Sequence, residues 1–191
     1  IIQLQEQIIT YREHKTIPHN PPAHDPQSNG EAERAVQDIK AQMRAIKLGL
    51  EARIEKALPI DCTVLEWMIP HAAQTTNGFL VGADGRTAHY RLHLKNFGGK
   101  TFEFGEQVLA KPKRENKQRI RRTLDARFRE ATWVGYSGRS GEHIVVLPDG
   151  GPAIKVRTAK SRPPSERWSA KAVEKIIATP DAPNPKGPSK I

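Results

Sequence analysis

The sequence predicts an α+β protein with its helices in the front half of the chain and its strands in the back half. Up to about residue 78, apolar residues recur at steps of three and four, which is the period of a helix. From Phe102 onward, short apolar runs alternate with tight turns, as in strands. Residues 1–99 hold 11 Lys and Arg against 11 Asp and Glu, whereas residues 100–191 hold 20 against 10. The strand-forming half is therefore basic and favours a polyanionic partner.

The longest predicted helix begins near residue 30. Residues 1–14 fit a shorter helix before it, but four prolines between Pro18 and Pro26 exclude regular structure up to about residue 29. Ser28 or Asn29 can cap the start of the long helix, and Pro59 is expected to end it. Its apolar stripe consists of Ala32, Val36, Ile39, Met43, Ile46, Leu50, Ile54 and Leu58.

A third helix is expected from about Asp61, followed by a connector. The Thr63-x-x-Glu66 segment resembles a capping box. Pro70 is expected to kink or split this helix, and Asn77-Gly78 to close it. Residues 1–78 thus form the helical part, and the Gly-rich residues 79–101 form an irregular connector.

The back half predicts a small β-barrel of the SH3 type over residues 102–163. Four short strands separated by tight turns in about 60 residues are typical of this architecture. The expected strands are Glu106–Pro112, Ala131–Tyr136, His143–Leu147 and Ala153–Arg157. Residues 164–191 are expected to form a short helix and a disordered tail.

Several classes of protein are disfavoured by composition. The single cysteine, Cys62, cannot form an internal disulfide, which fits a reducing, intracellular compartment and excludes a Cys-based zinc site. His14, His19 and His24 are spaced by five, which suits neither a helix face nor a zinc finger. No apolar run is long enough to span a bilayer, so no membrane partner is expected. The chain opens at Ile1 in mid-pattern, so we expect it to be a piece of a longer protein.

The most informative segment is Pro26-Gln27-Ser28-Asn29-Gly30-Glu31-Ala32-Glu33, a turn-forming loop that leads into the long helix. It resembles the signature around the third acidic residue of retroviral and LTR-retrotransposon integrases. Weaker similarities follow, in Gly85-Arg86-Thr87-x-x-Tyr90, Phe104-Gly105-Glu106-x-Val108 and Trp133-Val134-Gly135-Tyr136. The resemblance covers most of residues 1–163. It implies that residues 1–78 are the C-terminal helical part of an RNase H-like core.

The resemblance makes Glu33 the candidate catalytic and metal-binding residue. The family uses an Asp, Asp, Glu triad, and two Mg²⁺ or Mn²⁺ ions held by such carboxylates can activate a nucleophile and stabilise a leaving oxygen. The family pattern also assigns DNA contacts to Asn29, Gln37 and Lys40. Alternatively, Glu33 is a surface acid that is stabilised by the positive end of the helix dipole. Glu31, two residues earlier, is the other candidate for the catalytic residue.

The triad is incomplete in these 191 residues. The resemblance puts the second Asp about 35 residues before the Glu, and no Asp precedes Asp25. We therefore expect no catalysis from this chain alone and no tightly held metal, although the full-length parent resembles a metal-dependent polynucleotidyl transferase. The remaining helices are expected to expose apolar faces meant for missing strands.

A basic stretch between the first two expected strands is the second candidate site. Clusters of this kind bind phosphates without sequence preference and in a salt-sensitive way. The alternatives are a solvated charged loop or a nuclear-import signal. The candidate DNA-binding residues are Lys113, Arg114, Lys117, Arg119, Arg121 and Arg122.

Three functions follow from the sequence. The first is a piece of a retroelement integrase that, at full length, processes element DNA ends and joins them to target DNA. The second is a catalytically dead nucleic-acid-binding module, and the third is a structural piece of a polyprotein. For the parent integrase we expect DNA as partner, a homo-multimeric state, and a location in the nucleus or the retroelement particle.

Overall fold

The computed structural model describes residues 30–99, 101–113, 126–138, 140–148 and 150–185. The expected helix over residues 1–14 and the proline-rich segment that follows it lie outside these ranges. The described chain is α+β: helices come first and a five-stranded antiparallel sheet follows. By its internal contacts the chain divides into two units, residues 1–38 and 39–191.

Helix α1 spans Gly30–Ile54, as the apolar stripe predicts, but it ends before Pro59. Glu55 adopts a left-handed backbone with φ of 53°, and the backbone N–H of Lys56 donates to the carbonyl of Glu51. The Glu51 carboxylate also accepts a hydrogen bond from the backbone N–H of Leu58 at 2.7 Å. Both bonds to Glu51 close the end of the helix at Ile54, five residues before Pro59.

The apolar stripe of α1 becomes more buried towards its C-terminus. Val36 is 51% exposed, whereas Leu50 and Ile54 are 2% and 9% exposed. Within the second unit, the helix contributes Leu50 and Ile54 to the core, and Met43 and Ile46 pack against it.

Helix α2 spans Val64–Phe79 and runs through Pro70 without interruption. A proline in a helix interior costs about 3 kcal/mol. Trp67 and Met68 are buried just before it, and each buried side chain of this size contributes roughly 1.5–3 kcal/mol. The expected split at Pro70 is therefore wrong, because packing offsets the cost of the proline.

The expected capping box at the start of α2 is also wrong. Thr63 already has helical backbone angles, and its side chain makes no capping hydrogen bond. The turn before the helix is closed by backbone bonds instead, from Cys62 N–H to Pro59 and from Leu65 N–H to Cys62.

The connector contains more regular structure than the sequence predicts. Helix α3 spans Ala88–His93 and is capped by the Thr87 hydroxyl, which accepts from the backbone N–H of Tyr90. An isolated bridge pairs Val81 with Thr87, and Asp84 holds Arg91 in an ion pair. Short-range polar bonds therefore order a segment that has little apolar periodicity.

The sheet comprises β1 Gln107–Ala110, β2 Arg129–Tyr136, β3 His143–Val146, β4 Ala153–Val156 and β5 Ala159–Ser161. Its strand order is β4-β3-β2-β1-β5, with every neighbour antiparallel. The four expected strands are confirmed, and β5 is an additional strand that pairs with β1. A register irregularity interrupts the β2–β3 ladder between Trp133 and Gly135.

Both faces of the sheet are covered by apolar clusters. On one face, Val108, Trp133 and Val145 belong to a cluster formed within the sheet and the segment leading into it. On the other face, Val134 and Val146 pack with residues of α1 and α2.

Gly105, with φ of 83°, lies so close to α1 that an added Cβ would stand 2.6 Å from Leu50 Cδ1. Glycine is required there by both its backbone conformation and this contact.

The C-terminal segment is part of the folded unit. After β5 come a 3₁₀ turn at Pro164–Glu166 and helix α4 at Ala170–Glu174. Ile176 and Ala178 are buried in the same cluster as Trp67, whose indole N–H donates to the Ala178 carbonyl at 2.8 Å. A short helix is thus present in this segment, and a hydrogen bond from the Ala153 N–H to the Pro183 carbonyl ties the beginning of the expected tail, residues 179–191, to the sheet.

Candidate nucleic-acid interface

Glu33 lies in the first turn of α1 and is exposed. Gln37 and Lys40 follow at steps of four and three on the same helix, and both are exposed as well. Glu33 and Gln37 belong to the first unit and Lys40 to the second. Asn29 immediately precedes the described residues.

The described part of the chain does not form a metal centre. Within residues 30–99, 101–113, 126–138, 140–148 and 150–185, no three His, Cys, Asp or Glu side chains come together as a metal site. Glu33 is thus not part of a described group of three metal ligands.

The sheet gathers basic residues where β1 ends and where β2 and β5 begin. Ala110, the last residue of β1, is in register with Arg129 on one side and Ala159 on the other. The next residue, Lys111, donates its backbone N–H to the Thr158 carbonyl at 3.0 Å. We call this surface the basic end; its exposed cationic residues are Lys111, Lys113, Arg127, Arg129, Arg157 and Lys160.

A nearly buried carboxylate organises part of the basic end. Glu142 has a side chain that is only 10% exposed, and its Oε1 lies 2.8 Å from Lys113 Nζ and 3.5 Å from Arg157 Nε. The hydrogen bond from Lys113 holds the pKa of Glu142 below its usual range, with further hydrogen bonding from Ser140. Glu142 therefore stays ionised and keeps two cations from distant parts of the chain side by side.

On the surface of β5, β1 and β2 next to this end, two charged residues flank a leucine. Lys160, Leu109 and Glu130 are in register across the three strands, so their side chains leave the same face. Arg162 bridges Glu130 and Glu166 at 3.1 and 2.6 Å. Lys160 instead lies over the ring of Phe128, with Nζ 5.1 Å from the ring centroid.

The structure and the sequence identify different members of the candidate DNA-binding surface. Of the loop residues predicted from sequence, Lys113 is described and is ion-paired with Glu142. The others, Arg114, Lys117, Arg119, Arg121 and Arg122, lie outside the described residues. Arg157 and Lys160 were missed because they are about 30 residues further along the chain; strand pairing brings them to the basic run. Their one signal in the sequence was the closely spaced set of basic residues Lys155, Arg157, Lys160 and Arg162.

A small cleft in the second unit lies between α1, α2 and the segment before β1. It has a volume of about 190 Å³, and its lining includes Leu50, Phe102, Phe104 and Trp168. His71 also lines it and packs against Phe104 and Trp133, with ring centroids 5.2 and 5.3 Å away. Burial lowers the pKa of His71 to about 4, so this imidazole is neutral near pH 7.

No helix in the described part of the chain is long and apolar enough to cross a membrane. Comparisons of the chain with protein-family models, with curated proteins and with solved structures return no match.

Proposed function

We propose that this chain is the C-terminal part of a retroelement integrase and that its sheet is the DNA-binding part. The observation that carries the proposal is the order of the elements along the chain: the motif, the long helix, and then the basic sheet. The segment Pro26–Glu33 leads into the long helix α1, and a basic antiparallel sheet of order β4-β3-β2-β1-β5 follows. Four strands in a meander, with the fifth returning beside the first, is the arrangement of an SH3-like barrel. The resemblance implies this succession of an RNase H-like helical part and a barrel.

The charge distribution supports DNA as the partner. The excess of basic residues falls entirely in residues 100–191, and the basic end collects cations from three separate stretches of that half. Phosphates along a duplex are spaced closely enough for several of these Lys and Arg side chains to neutralise phosphates at once. Each neutralised phosphate releases a counterion from the DNA. Contacts of this type fix the protein on DNA but do not read sequence.

In the full-length integrase, Glu33 would be the third carboxylate of the metal-binding triad, with Mg²⁺ as the cofactor and two Asp residues upstream. Asn29, Gln37 and Lys40 would then contact the element DNA end. The same proposal includes a homo-multimeric parent protein that acts in the nucleus or in the retroelement particle.

A salt titration tests the DNA-binding part of the proposal. If about five phosphates are neutralised, log K should fall with log salt at a slope of roughly −4 to −5 on B-DNA. The double variant Arg129→Ala and Arg157→Ala should flatten that slope by about 2 units, and the triple variant of Arg119, Arg121 and Arg122 to Ala by up to about 3 units. The loss should be equal on two unrelated duplexes.

The control keeps the net charge of the double variant but leaves the basic end intact. Arg53 and Arg91 are exposed and ion-paired with Glu103 and Asp84. Their replacement by Ala should leave the slope unchanged. Equal slopes for both double variants would mean that general charge, and not the basic end, accounts for binding.

A catalytically dead nucleic-acid-binding module is the second candidate. The charge segregation supports it without any help from the motif around Glu33. The coding sequence upstream of Ile1 separates the two: an in-frame Asp shortly upstream and another further up favour the integrase, whereas a stop codon there leaves the binding module.

A further inference from the structure

We propose that Phe128 stacks on an unpaired nucleobase, so that the basic end binds single-stranded DNA through its bases as well as its phosphates. This inference rests on the proposed DNA-binding function and narrows the kind of DNA that the surface prefers.

The first observation is the place of Phe128. It is flanked in sequence by Arg127 and Arg129, both exposed, and it immediately precedes β2. Its ring is half-buried. Both apolar clusters of the second unit contain other aromatic residues of this half, but neither includes Phe128 among its described members. Core packing among the described residues thus does not account for this ring.

The second observation is what the ring contacts. Lys160 Nζ lies 5.1 Å from the centroid of Phe128. A cation over an exposed aromatic ring contributes about 0.5–1 kcal/mol. Stacking of a base on an aromatic side chain contributes about 1–3 kcal/mol. A base can therefore displace the ammonium group from the ring, and the freed Lys160 remains within reach of the backbone phosphate of the same nucleotide.

The third observation explains why the base must be unpaired. Phe128 immediately precedes β2 and Lys160 lies within β5, so both side chains belong to the surface of the sheet. In a duplex the flat faces of the bases are covered by their neighbours, so this ring can meet a base face only in a single strand or at a frayed end. A ring with a cation against it combines the two features by which proteins bind single strands with little sequence preference.

The experiment uses the whole 191-residue chain and three fluorescent DNA probes at one salt concentration. They are a thymidine oligonucleotide of about 12 nucleotides, an abasic strand of the same length, and a duplex of that length; small nucleic-acid-binding barrels cover ~4–16 nucleotides. The abasic strand has the same phosphates but nothing to stack. We expect the wild-type chain to bind the thymidine strand roughly 5- to 100-fold more tightly than the abasic strand.

Two variants isolate the ring. Phe128→Leu keeps an apolar side chain and should lose most of the preference for the thymidine strand, with binding to the abasic strand and the duplex unchanged. Phe128→Trp keeps an aromatic face and should retain the preference. Circular dichroism checks that both variants are folded, and the comparison of probes on the wild-type chain needs no variant at all.

The outcomes distinguish the two proposals. Equal binding of the thymidine and abasic strands by the wild-type chain, with salt-dependent binding of both, overturns the stacking role of Phe128 and leaves the DNA-binding function standing. An equal loss on all probes in Phe128→Leu also overturns the stacking role, since the residue would then matter only for the fold. Failure of the wild-type chain to bind any probe overturns both.

Discussion

His71 shows how one buried side chain links the fold to pH. Its ring lies between Phe104 and Trp133, and burial lowers its pKa to about 4 from an ordinary value of 6.5. In the unfolded chain the imidazole takes up a proton below pH 6.5, whereas in the folded chain it does so only near pH 4. The unfolded state therefore binds more protons between these values, and stability falls as the pH is lowered through this window.

We expect the free energy of unfolding to drop by at most about 3 kcal/mol between pH 7 and pH 4 on account of His71. Denaturant titrations at a series of pH values should show a flatter dependence for His71→Gln. His93→Gln, at an exposed position, is the control: it changes only the smaller contribution of His93 to the lowered pKa of His89 and should keep most of the wild-type dependence. Parallel curves for the wild-type chain and His71→Gln would show that His71 is solvated in solution.

At the scale of elements, the segment after residue 164 is the part that the local sequence predicted least well. Its helix α4 is only five residues long, and residues 179–191 include four prolines. Its order comes from distant partners: Trp67 donates to the carbonyl of Ala178, and Ala153 donates its N–H to the carbonyl of Pro183 at 2.7 Å. Lys56 also reaches Glu174 at 2.6 Å. These partners are more than 25 residues away, so no local pattern could reveal them.

Two adjacent isoleucines test whether this segment is held by packing. Ile176 is 3% exposed and lies in the core cluster, whereas Ile177 is 46% exposed. Truncating a buried isoleucine to alanine costs about 2–5 kcal/mol. Thermal or denaturant unfolding should thus show a loss of that size for Ile176→Ala and of less than about 1 kcal/mol for Ile177→Ala. Similar small losses in both variants would mean that the segment is detached in solution.

Strand β5 illustrates a second limit on sequence-based prediction at this scale. Ala159–Ser161 is three residues long and has only one buried residue, so it carries no alternating apolar pattern. It becomes a strand because β1 offers an unpaired edge, with Val108, Leu109 and Ala110 in register with it. Its neighbour β1 was predictable because buried Val108 and Ala110 alternate with the less buried Leu109.

At the scale of the whole molecule, the proposed integrase origin predicts that this chain cannot catalyse strand transfer by itself. In that proposal Glu33 is one carboxylate of a triad whose other two members lie upstream, and the described residues bring no three potential metal ligands together. Two metal ions need several carboxylates to hold them. Purified residues 1–191 should therefore give no joined product from element-end DNA with Mg²⁺ or Mn²⁺. Joining that disappears in Glu33→Gln would contradict this expectation and would mean that the chain assembles a metal site in another way.

The sequence by itself determined the two long helices between residues 30 and 79, the four longer strands and the segregation of charge, and it contains the motif on which the proposal for Glu33 rests. These features depend on residue type and short-range spacing, so a period of 3.6 or 2 is enough to reveal them. Only the tertiary structure decided that Pro70 lies within a continuous helix, that β5 joins the sheet, and that Arg157 and Lys160 lie at the same end of the sheet as Arg129. Each depends on contacts between residues distant in sequence. The energy of packing, ion pairing or strand pairing at such contacts outweighs the local preference and leaves no trace in the neighbouring residues.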